Sequence, residues 1–303
     1  MKKYSAFGLT IASELALYCA ESETAADVEI RFGECPEMSE EPLVNAKWVK
    51  SSIHQACVEI ANVGKFYIHD GREIIMNILP EVSDEVVRLY LLGTCMGAIL
   101  QQRGVIPIHG SCVCKDGKAL LITGNSGAGK STLAAEFLSK GWKLMSDDVT
   151  PVTCEDGVYY AQSTYPGQKM WQDTIDRSHN ESRVVENIIR AEGGREKFQL
   201  HAGDSFVYAK VPLCYGVFLI PGSKELYLQS VTGFAKTDVL MRNLYRRFMV
   251  ADKVGQSAQL KTCVMLGQQM QIFLAERPLD EFTEKRIADW LIGEMEKSES
   301  DAK

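Results

Sequence analysis

Apolar and polar residues alternate over much of the first 80 positions, a pattern typical of half-buried strands. The stretch "KFYIHDGREIIMNI", residues 65–78, contains two such runs on either side of Asp70-Gly71, a dipeptide that favours a hairpin turn. Pro80 closes this part of the chain. The pattern predicts a small β-rich N-terminal region over residues 1–80.

The apolar spacing then becomes that of a helix. It begins at Ser83, a residue type favoured at the N-cap, and extends to about Gln102. Gly93 and Gly97 lie one turn apart in this segment. They predict close packing of another part of the chain rather than a membrane-dimerisation motif, because the most apolar stretch, 86–100, is too short to span a bilayer.

Beyond residue 150 the pattern is mixed. It predicts strands at "GVYYAQS" and "PLCYGVFLIP", a loop at "TYPGQKMWQDT", a polar helix over about 181–192, and helices over 234–250 and 279–297. The combination of strands and helices indicates an α/β protein with α+β character.

The stretch "LLITGNSGAGKSTLAAEF", residues 120–137, carries the clearest chemical signal. An apolar strand, "KALLIT", leads to Gly124, and Gly129-Lys130-Ser131 opens a helix, which matches the phosphate-loop pattern. Backbone N–H groups and the helix N-terminus can hold phosphates, Lys130 can reach the β- and γ-phosphates, and Ser131 can bind Mg²⁺. The predicted nucleotide-binding residues are Gly124, Asn125, Ser126, Gly127, Ala128, Gly129, Lys130, Ser131 and Thr132.

The strand before the loop is paired through a predicted two-residue hairpin at Asp116-Gly117. If Lys115 and Lys118 are opposite each other, His109 falls opposite Gly124, at the start of the phosphate loop. An imidazole there could hydrogen-bond to an acidic residue or a phosphate oxygen. We therefore predict a functional role for His109 in preference to a packing role.

The next predicted strand, in "WKLMSDDVTPV", ends in two adjacent acids, Asp147 and Asp148. One helix after a phosphate loop is the usual place for an acid that helps to bind Mg²⁺. Since successive strand residues face opposite ways, one carboxylate can serve the metal while the other accepts the proton of an incoming hydroxyl. A motor or switch needs only the first, so Asp147 and Asp148 together favour phosphate transfer.

The net charge and the cysteine content limit which partners and which cellular compartment are expected. A net charge of −7 and a pI near 5.4 do not favour nucleic acid as a partner, and no membrane partner is expected. Polar residues interrupt the N-terminal apolar run, so no signal peptide is predicted. Nine scattered cysteines then read as reduced thiols in a cytoplasmic protein, with Cys112 and Cys114 as core residues.

The stretches "IPIHGSCV", "LLITGNSGAGKSTLAAEFLSKGWKLMSDDV" and "YPGQKMW" together resemble the HPr kinase/phosphorylase-related kinases, which share the phosphoenolpyruvate-carboxykinase type of P-loop fold. The opening "YSAFGLTIASEL" is similar to the start of shorter relatives, including lasso-peptide-precursor kinases. The resemblance implies transfer of phosphate from ATP, or another nucleoside triphosphate, to a serine hydroxyl. It places His109, Lys130, Ser131, Asp147 and Asp148 at active-site positions, and by analogy we expect Asp147 to be the base and Asp148 a metal ligand with Ser131.

The resemblance has limits. The glutamate-arginine-glycine stretch that follows the paired acids in HPr kinase/phosphorylases has no equivalent here, so neither HPr as acceptor nor a phosphorylase activity is implied. "GGREKFQL" supplies Arg195 and Lys197 as possible contacts to substrate or phosphate. The arginines of "RNLYRRF", residues 242–248, are expected on a helix face.

The sequence thus predicts a Mg²⁺-dependent kinase domain over residues 81–303, with residues 1–80 recognising a peptide or small-protein acceptor. Two alternatives stay open: a kinase for a small molecule such as free serine, and a nucleotide-binding regulator that transfers nothing. A decarboxylating carboxykinase is a more remote alternative. Homo-oligomer formation is also left open.

Overall fold

The computed structural model describes residues 1–172, 175–176, 184–190, 196–250 and 252–301. Three β-sheets and several helices make the chain an α+β protein. Within these ranges no helix combines the length and the apolar composition of a membrane span. All nine cysteines are free thiols, and Cys112 and Cys114 are buried, as predicted.

Every strand before residue 80 belongs to one nine-stranded sheet with the order β3-β1-β2-β4-β9-β8-β7-β6-β5. The strands are β1 Lys2–Ala6, β2 Leu9–Ser13, β3 Ala20–Glu21, β4 Val28–Phe32, β5 Val44–Ala46, β6 Val49–Ser51, β7 Gln55–Ile60, β8 Gly64–His69 and β9 Glu73–Ile78. The predicted hairpin joins β8 and β9, and Asp70 and Gly71 both have left-handed backbone, with φ of 54° and 62°.

The predicted helix from Ser83 is present as three consecutive segments: α1 Asp84–Tyr90, a π-helical turn Leu91–Cys95, and α2 Met96–Gln102. Its buried side chains, such as Val87 and Met96, pack in the same hydrophobic core as Ile30 and Phe66 of the first sheet. The helix therefore packs with the N-terminal region, although the expected boundary at residue 80 separates the two.

Close packing at the two helical glycines is confirmed. A Cβ atom at Gly97 would lie 2.9 Å from two ring carbons of Tyr245, and one at Gly93 would lie 3.2 Å from the Tyr245 hydroxyl. The helix is thus pressed against a residue about 150 positions away in sequence, and the π-helical turn lies at this contact. Such turns are frequent at functional sites.

The remaining strands and helices build the second and third sheets. The strands are β10 Ile106–Lys115, β11 Lys118–Gly124, β12 Lys143–Ser146, β13 Val149–Glu155, β14 Val158–Gln162, β15 Gly167–Trp171, β16 Val184–Arg190, β17 Glu196–His201, β18 Lys210–Pro221, β19 Tyr227–Val231 and β20 Gln271–Arg277. The helices are α3 Lys130–Ser139, α4 Ala235–Arg242, α5 Lys253–Gln269 and α6 Glu284–Asp301.

The second sheet has the order β11-β10-β13-β14-β18-β20-β19, with β12 on β10 and a further parallel pairing of β11 with β18. Successive side chains of β11 point to opposite faces of the sheet. Leu120 and Ile122 pack with side chains of α3 and α6, whereas Leu121 packs with α4 and α5. Helices thus cover both faces of the second sheet. The end of β11 and the start of α3 lie at one edge of this sheet.

Three predictions in the second half were wrong. Gly167–Trp171, expected in a loop, is β15, and Val184–Arg190, the described part of the expected polar helix, is β16; both pair with β17. Pairing within this third sheet overrides the weak local preference of each segment. The helix expected over 234–250 ends at Arg242, and α5, which contains Gly255 and Gly267, was not predicted.

Candidate functional site

The phosphate loop connects β11 to α3 and turns on its glycines. Gly124, Gly127 and Gly129 have φ of 143°, 81° and 97°, in the region that disfavours side chains. A Cβ atom at Gly124 would lie 2.6 Å from the backbone oxygen of Leu219. The loop conformation therefore depends on glycine at this position, and it directs the chain into the N-terminus of α3.

Two cations contact the loop. The Lys130 ammonium donates to the carbonyl oxygens of Gly124 at 2.9 Å and of Asn125 at 3.1 Å, so it lies over the loop where a phosphate oxygen could replace these acceptors. Arg277, which the sequence did not single out, is buried at the end of β20 and donates to the Ala128 carbonyl at 3.2 Å. It also pairs with Glu284, and it supports the loop from the protein interior.

Asp147 is buried and bound to the start of α3. Its Oδ1 accepts hydrogen bonds from the hydroxyls of Ser131, at 3.0 Å, and Ser111, at 2.5 Å. Its Oδ2 accepts from the backbone N–H of Lys169 at 2.8 Å, and the residue is only 4% exposed. The carboxylate is therefore fixed beside the hydroxyl that the phosphate-loop pattern assigns to the metal.

Asp148 has a different environment. Its backbone is left-handed, with φ of 80°, and its carboxylate is 29% exposed in a cleft also lined by Gly124, Asn125 and Ser126. Asp148 Oδ2 accepts a hydrogen bond from the Lys169 ammonium at 2.8 Å. The two adjacent acids thus face different surroundings. Strand alternation is not the reason, because both acids lie in the turn between β12, which ends at Ser146, and β13, which begins at Val149.

Lys169 links the two acids, one through its N–H and the other through its ammonium. Burial lowers the pKa of Lys169, but the neighbouring Asp148 and Tyr165 more than compensate, so this pKa lies above its ordinary value. The residue lies on β15, which the sequence placed in a loop. Its only sequence signal is its place in "YPGQKMW", and its position between the acids is a consequence of the tertiary fold.

His109 reaches the site by a different route from the expected one. The hairpin register from Lys115↔Lys118 to Gly110↔Thr123 is confirmed. It ends there because the backbone N–H of His109 donates to the Asn243 carbonyl, so the expected pairing with Gly124 is wrong. On the other edge of β10, His109 pairs with Val149 of β13. Its Nδ1 lies 2.9 Å from the Asp148 carbonyl oxygen and 3.4 Å from Asp148 Oδ1. Burial lowers the pKa of His109, and the positive charge of Lys130 adds to this effect.

The same cleft is lined by Arg242, the last residue of α4, and by the segment 243–248 that follows it. Arg242 lies on α4 as expected, but the helix ends there, so Arg246 does not lie on a helix face and Arg247 begins a separate 3₁₀ turn, Arg247–Met249. Arg246 has left-handed backbone, with φ of 50°, and both arginines line the cleft. The spacing of residues in the sequence could not predict that these arginines line the cleft, since the segment has no recognised motif.

Two other candidates are not placed at the site. Arg195 lies outside the described residues, and of Lys197 only the backbone is described, in β17 opposite Trp171. Their possible contact with substrate or phosphate stays a prediction.

The donor set at the loop fits Mg²⁺. No group of three or more His, Cys, Asp or Glu side chains able to hold a metal occurs in the described part of the chain. However, Mg²⁺ in nucleotide sites usually takes one or two protein oxygens together with phosphates and waters. The Ser131 hydroxyl and the Asp147 carboxylate, 3.0 Å apart, supply that kind of oxygen pair.

Comparison with known proteins gives a family model and several relatives. The model described as "SynChlorMet cassette protein ScmC" matches residues 74–189. An HPr kinase/phosphorylase of Mycoplasmopsis pulmonis is 36% identical over 76 residues, which are 24% of this chain and 25% of that protein. That of Clostridium novyi is 41% identical over 58 residues, 19% of each chain.

A solved HPr(Ser) kinase/phosphatase from Coxiella burnetii aligns over 65% of this chain and 94% of its own, with 12% identity and a TM-score of 0.36. The sequence matches span a quarter or less of the relatives' own length. The chain is related to the HPr kinase/phosphorylases, as its phosphate loop and paired acids indicated.

Proposed function

We propose that this chain is a Mg²⁺-dependent kinase that transfers the terminal phosphate of ATP, or of another nucleoside triphosphate, to a serine hydroxyl of a peptide or small protein. The fold we assign to residues 81–303 is the phosphoenolpyruvate-carboxykinase type of P-loop fold. The observation that carries the proposal is the unequal pair of acids: one is bonded to the phosphate-loop serine, and its neighbour faces the open cleft.

The geometry favours the reverse of the roles expected from analogy. Asp147 is bonded to Ser131 and buried, so it is suited to the metal and has no room to meet an acceptor. Asp148 faces the cleft, so it is suited to be the base. The ammonium of Lys169 donates to Asp148 Oδ2 and fixes the orientation of this carboxylate, which makes Lys169 a positioning residue.

The nucleotide and Mg²⁺, when bound, would supply the electrophilic phosphorus and neutralise charge on the phosphates. Ser131 and Asp147 would hold the metal, and Lys130 would exchange the loop carbonyls for phosphate oxygens. Asp148 would accept the proton of the acceptor hydroxyl as the new O–P bond forms and the bond to the leaving diphosphate breaks. His109, neutral because of its lowered pKa, would orient Asp148.

A protein-type acceptor is supported by the name of the relatives, HPr kinase/phosphorylase. We assign recognition of the acceptor to the N-terminal region, because Trp48, between β5 and β6, contacts the cleft-lining Phe248 ring edge-on, with centroids 5.5 Å apart.

The test is transfer from γ-labelled ATP to a library of serine peptides and to free serine. Asp148→Asn should bind Mg-nucleotide normally and lose ~10²-fold or more of the transfer rate, because the amide cannot accept a proton. Asp147→Asn should instead raise the Mg²⁺ concentration needed for half-maximal rate. If both folded variants transfer to a confirmed acceptor at the wild-type rate, the kinase mechanism is wrong and a nucleotide-dependent regulator becomes the better hypothesis.

A further inference from the structure

Arg246 lies where the N-terminal region, the π-helical turn and the cleft meet. Its guanidinium carbon is 5.1 Å from the centre of the Trp48 ring, and its Nη2 donates to the Thr94 hydroxyl at 3.3 Å. The backbone carbonyl of the preceding Tyr245 accepts from the Gln101 side chain at 2.9 Å. These contacts fix the guanidinium on one wall of the cleft.

The backbone at Arg246 is costly for a side chain of this size. Its φ of 50° and ψ of 37° lie in the left-handed region, which a non-glycine residue adopts only where the surrounding structure imposes it. The neighbouring Ser51 donates to the Met249 carbonyl at 3.0 Å and holds the segment on the other side of the arginine. The strain is thus localised at the residue whose charge enters the cleft.

The charge of Arg246 is not neutralised within the described part of the chain. Arg242, four residues earlier, pairs with Asp238 at 2.8 Å, whereas Arg246 has no ion pair with a described carboxylate and its buried Nε has no hydrogen-bond partner there. A guanidinium that is oriented by an aromatic ring and lacks a carboxylate partner is suited to bind one.

The arginine lines the same cleft as Asp148. The N–H of His109 donates to the carbonyl of Asn243 at 2.7 Å, and the rings of His109 and Tyr245 lie 5.9 Å apart. The segment with Arg246 is therefore attached to the same histidine that contacts Asp148. An acceptor whose hydroxyl meets Asp148 would extend along Tyr245 towards Arg246.

We propose that Arg246 is a specificity-determining residue that binds the carboxylate of an aspartate or glutamate close to the acceptor serine. This rests on the proposed kinase function and names its acceptor class, an acidic serine peptide. An anion on the nucleotide is the other group that the guanidinium could meet, and the experiment separates the two.

The test uses fluorescently labelled peptides that contain one serine. Each peptide has glutamate at one position next to the serine, and a matched peptide has glutamine there. Binding of each peptide to the full chain, in the presence of a non-hydrolysable ATP analogue, is measured by fluorescence anisotropy. At one or two positions glutamate should strengthen binding by about 10-fold or more, the usual effect of a hydrogen-bonded charge pair. Arg246→Gln should abolish this difference, and Arg246→Lys should retain part of it. Arg286→Gln makes the same change of charge on α6, outside the cleft lining, and should retain the difference in full.

Equal binding of the glutamate and glutamine peptides, or binding of neither, would overturn the proposal. So would an Arg246→Gln protein that loses affinity for the ATP analogue but keeps the preference for glutamate, since the arginine would then contact the nucleotide. Thermal unfolding of each variant, and the retained analogue affinity, show that it is folded. Transfer from labelled ATP is measured separately, so that transfer without an acidic preference overturns this inference and leaves the kinase function intact.

Discussion

The two walls of the cleft differ in how they are built. The loop wall, residues 124–132 with Asp147 and Asp148, comes from one continuous stretch of about 25 residues and lies within the segment that the ScmC family model matches. The arginine wall, residues 243–249, lies outside that segment and is held by Trp48, Thr94 and Gln101 from the N-terminal half.

The difference shows which part of the site a short stretch of sequence can specify and which part requires the tertiary fold. Binding of a phosphate needs backbone N–H groups and one lysine, which a short sequence can supply with local glycine conformations. The shape and charge of an acceptor must be met by side chains from several elements. Related chains can therefore share the first wall while the second differs.

The largest effect should come from Lys130→Ala on the loop wall. Removing the ammonium takes away the cation that the phosphates would meet, so the transfer rate should fall by ~10²–10³-fold, the usual effect of losing one preorganised electrostatic group. Transfer from labelled ATP and titration of the nucleotide measure the two consequences. Lys140→Ala is the control, because Lys140 lies directly after α3 and pairs with Asp289 at 2.6 Å, away from the cleft. Unchanged turnover and affinity in a folded Lys130→Ala protein would mean that the loop does not bind phosphate.

A smaller effect should come from Gly97→Ala, which perturbs the arginine wall through Tyr245. The added Cβ would lie 2.9 Å from the ring, and overpacking of this kind costs about 1–3 kcal/mol. Gly293→Ala in α6 is the matched control, since its Cβ would meet nothing within 4 Å. The control should stabilise the protein by about 0.5–1 kcal/mol through helix propensity. Denaturant unfolding gives both values, and equal stability of the two variants would show that Tyr245 can move away without cost.

The smallest expected effect is the pH dependence that His109 contributes where the two walls meet. Burial, with help from Lys130, lowers the pKa of His109 in the folded state, so near its ordinary pKa the unfolded state binds more protons. Stability should therefore rise with pH from the folded-state value up to the ordinary pKa of about 6.5, and it should be lost on acidification through that window. Unfolding free energies of wild type and His109→Gln between about pH 5 and about pH 8 test this. A variant with the same slope as wild type would contradict it.

The sequence by itself determined the local features. The Asp70-Gly71 and Asp116-Gly117 turns and the strand-loop-helix around Gly124 follow from conformations that neighbouring residues impose. For that reason the hairpin register could be predicted as far as Gly110. It failed at His109 because the backbone N–H of His109 donates to the carbonyl of Asn243, from a segment more than 130 residues later, which takes the place of β11 there.

The surroundings of the charged side chains at the cleft depend on the tertiary structure alone. Asp147 and Asp148 are equivalent in the sequence, but Ser131 and Ser111 surround one while Lys169 reaches the other from β15. Arg246 acquires its orientation from Trp48, almost 200 residues away. Backbone conformation depends mainly on near neighbours, whereas the environment of a charge depends on every group that folding brings within a few ångströms. The sequence therefore predicted the strand-loop-helix conformation around Gly124, and the fold determined which carboxylate and which arginine face the cleft.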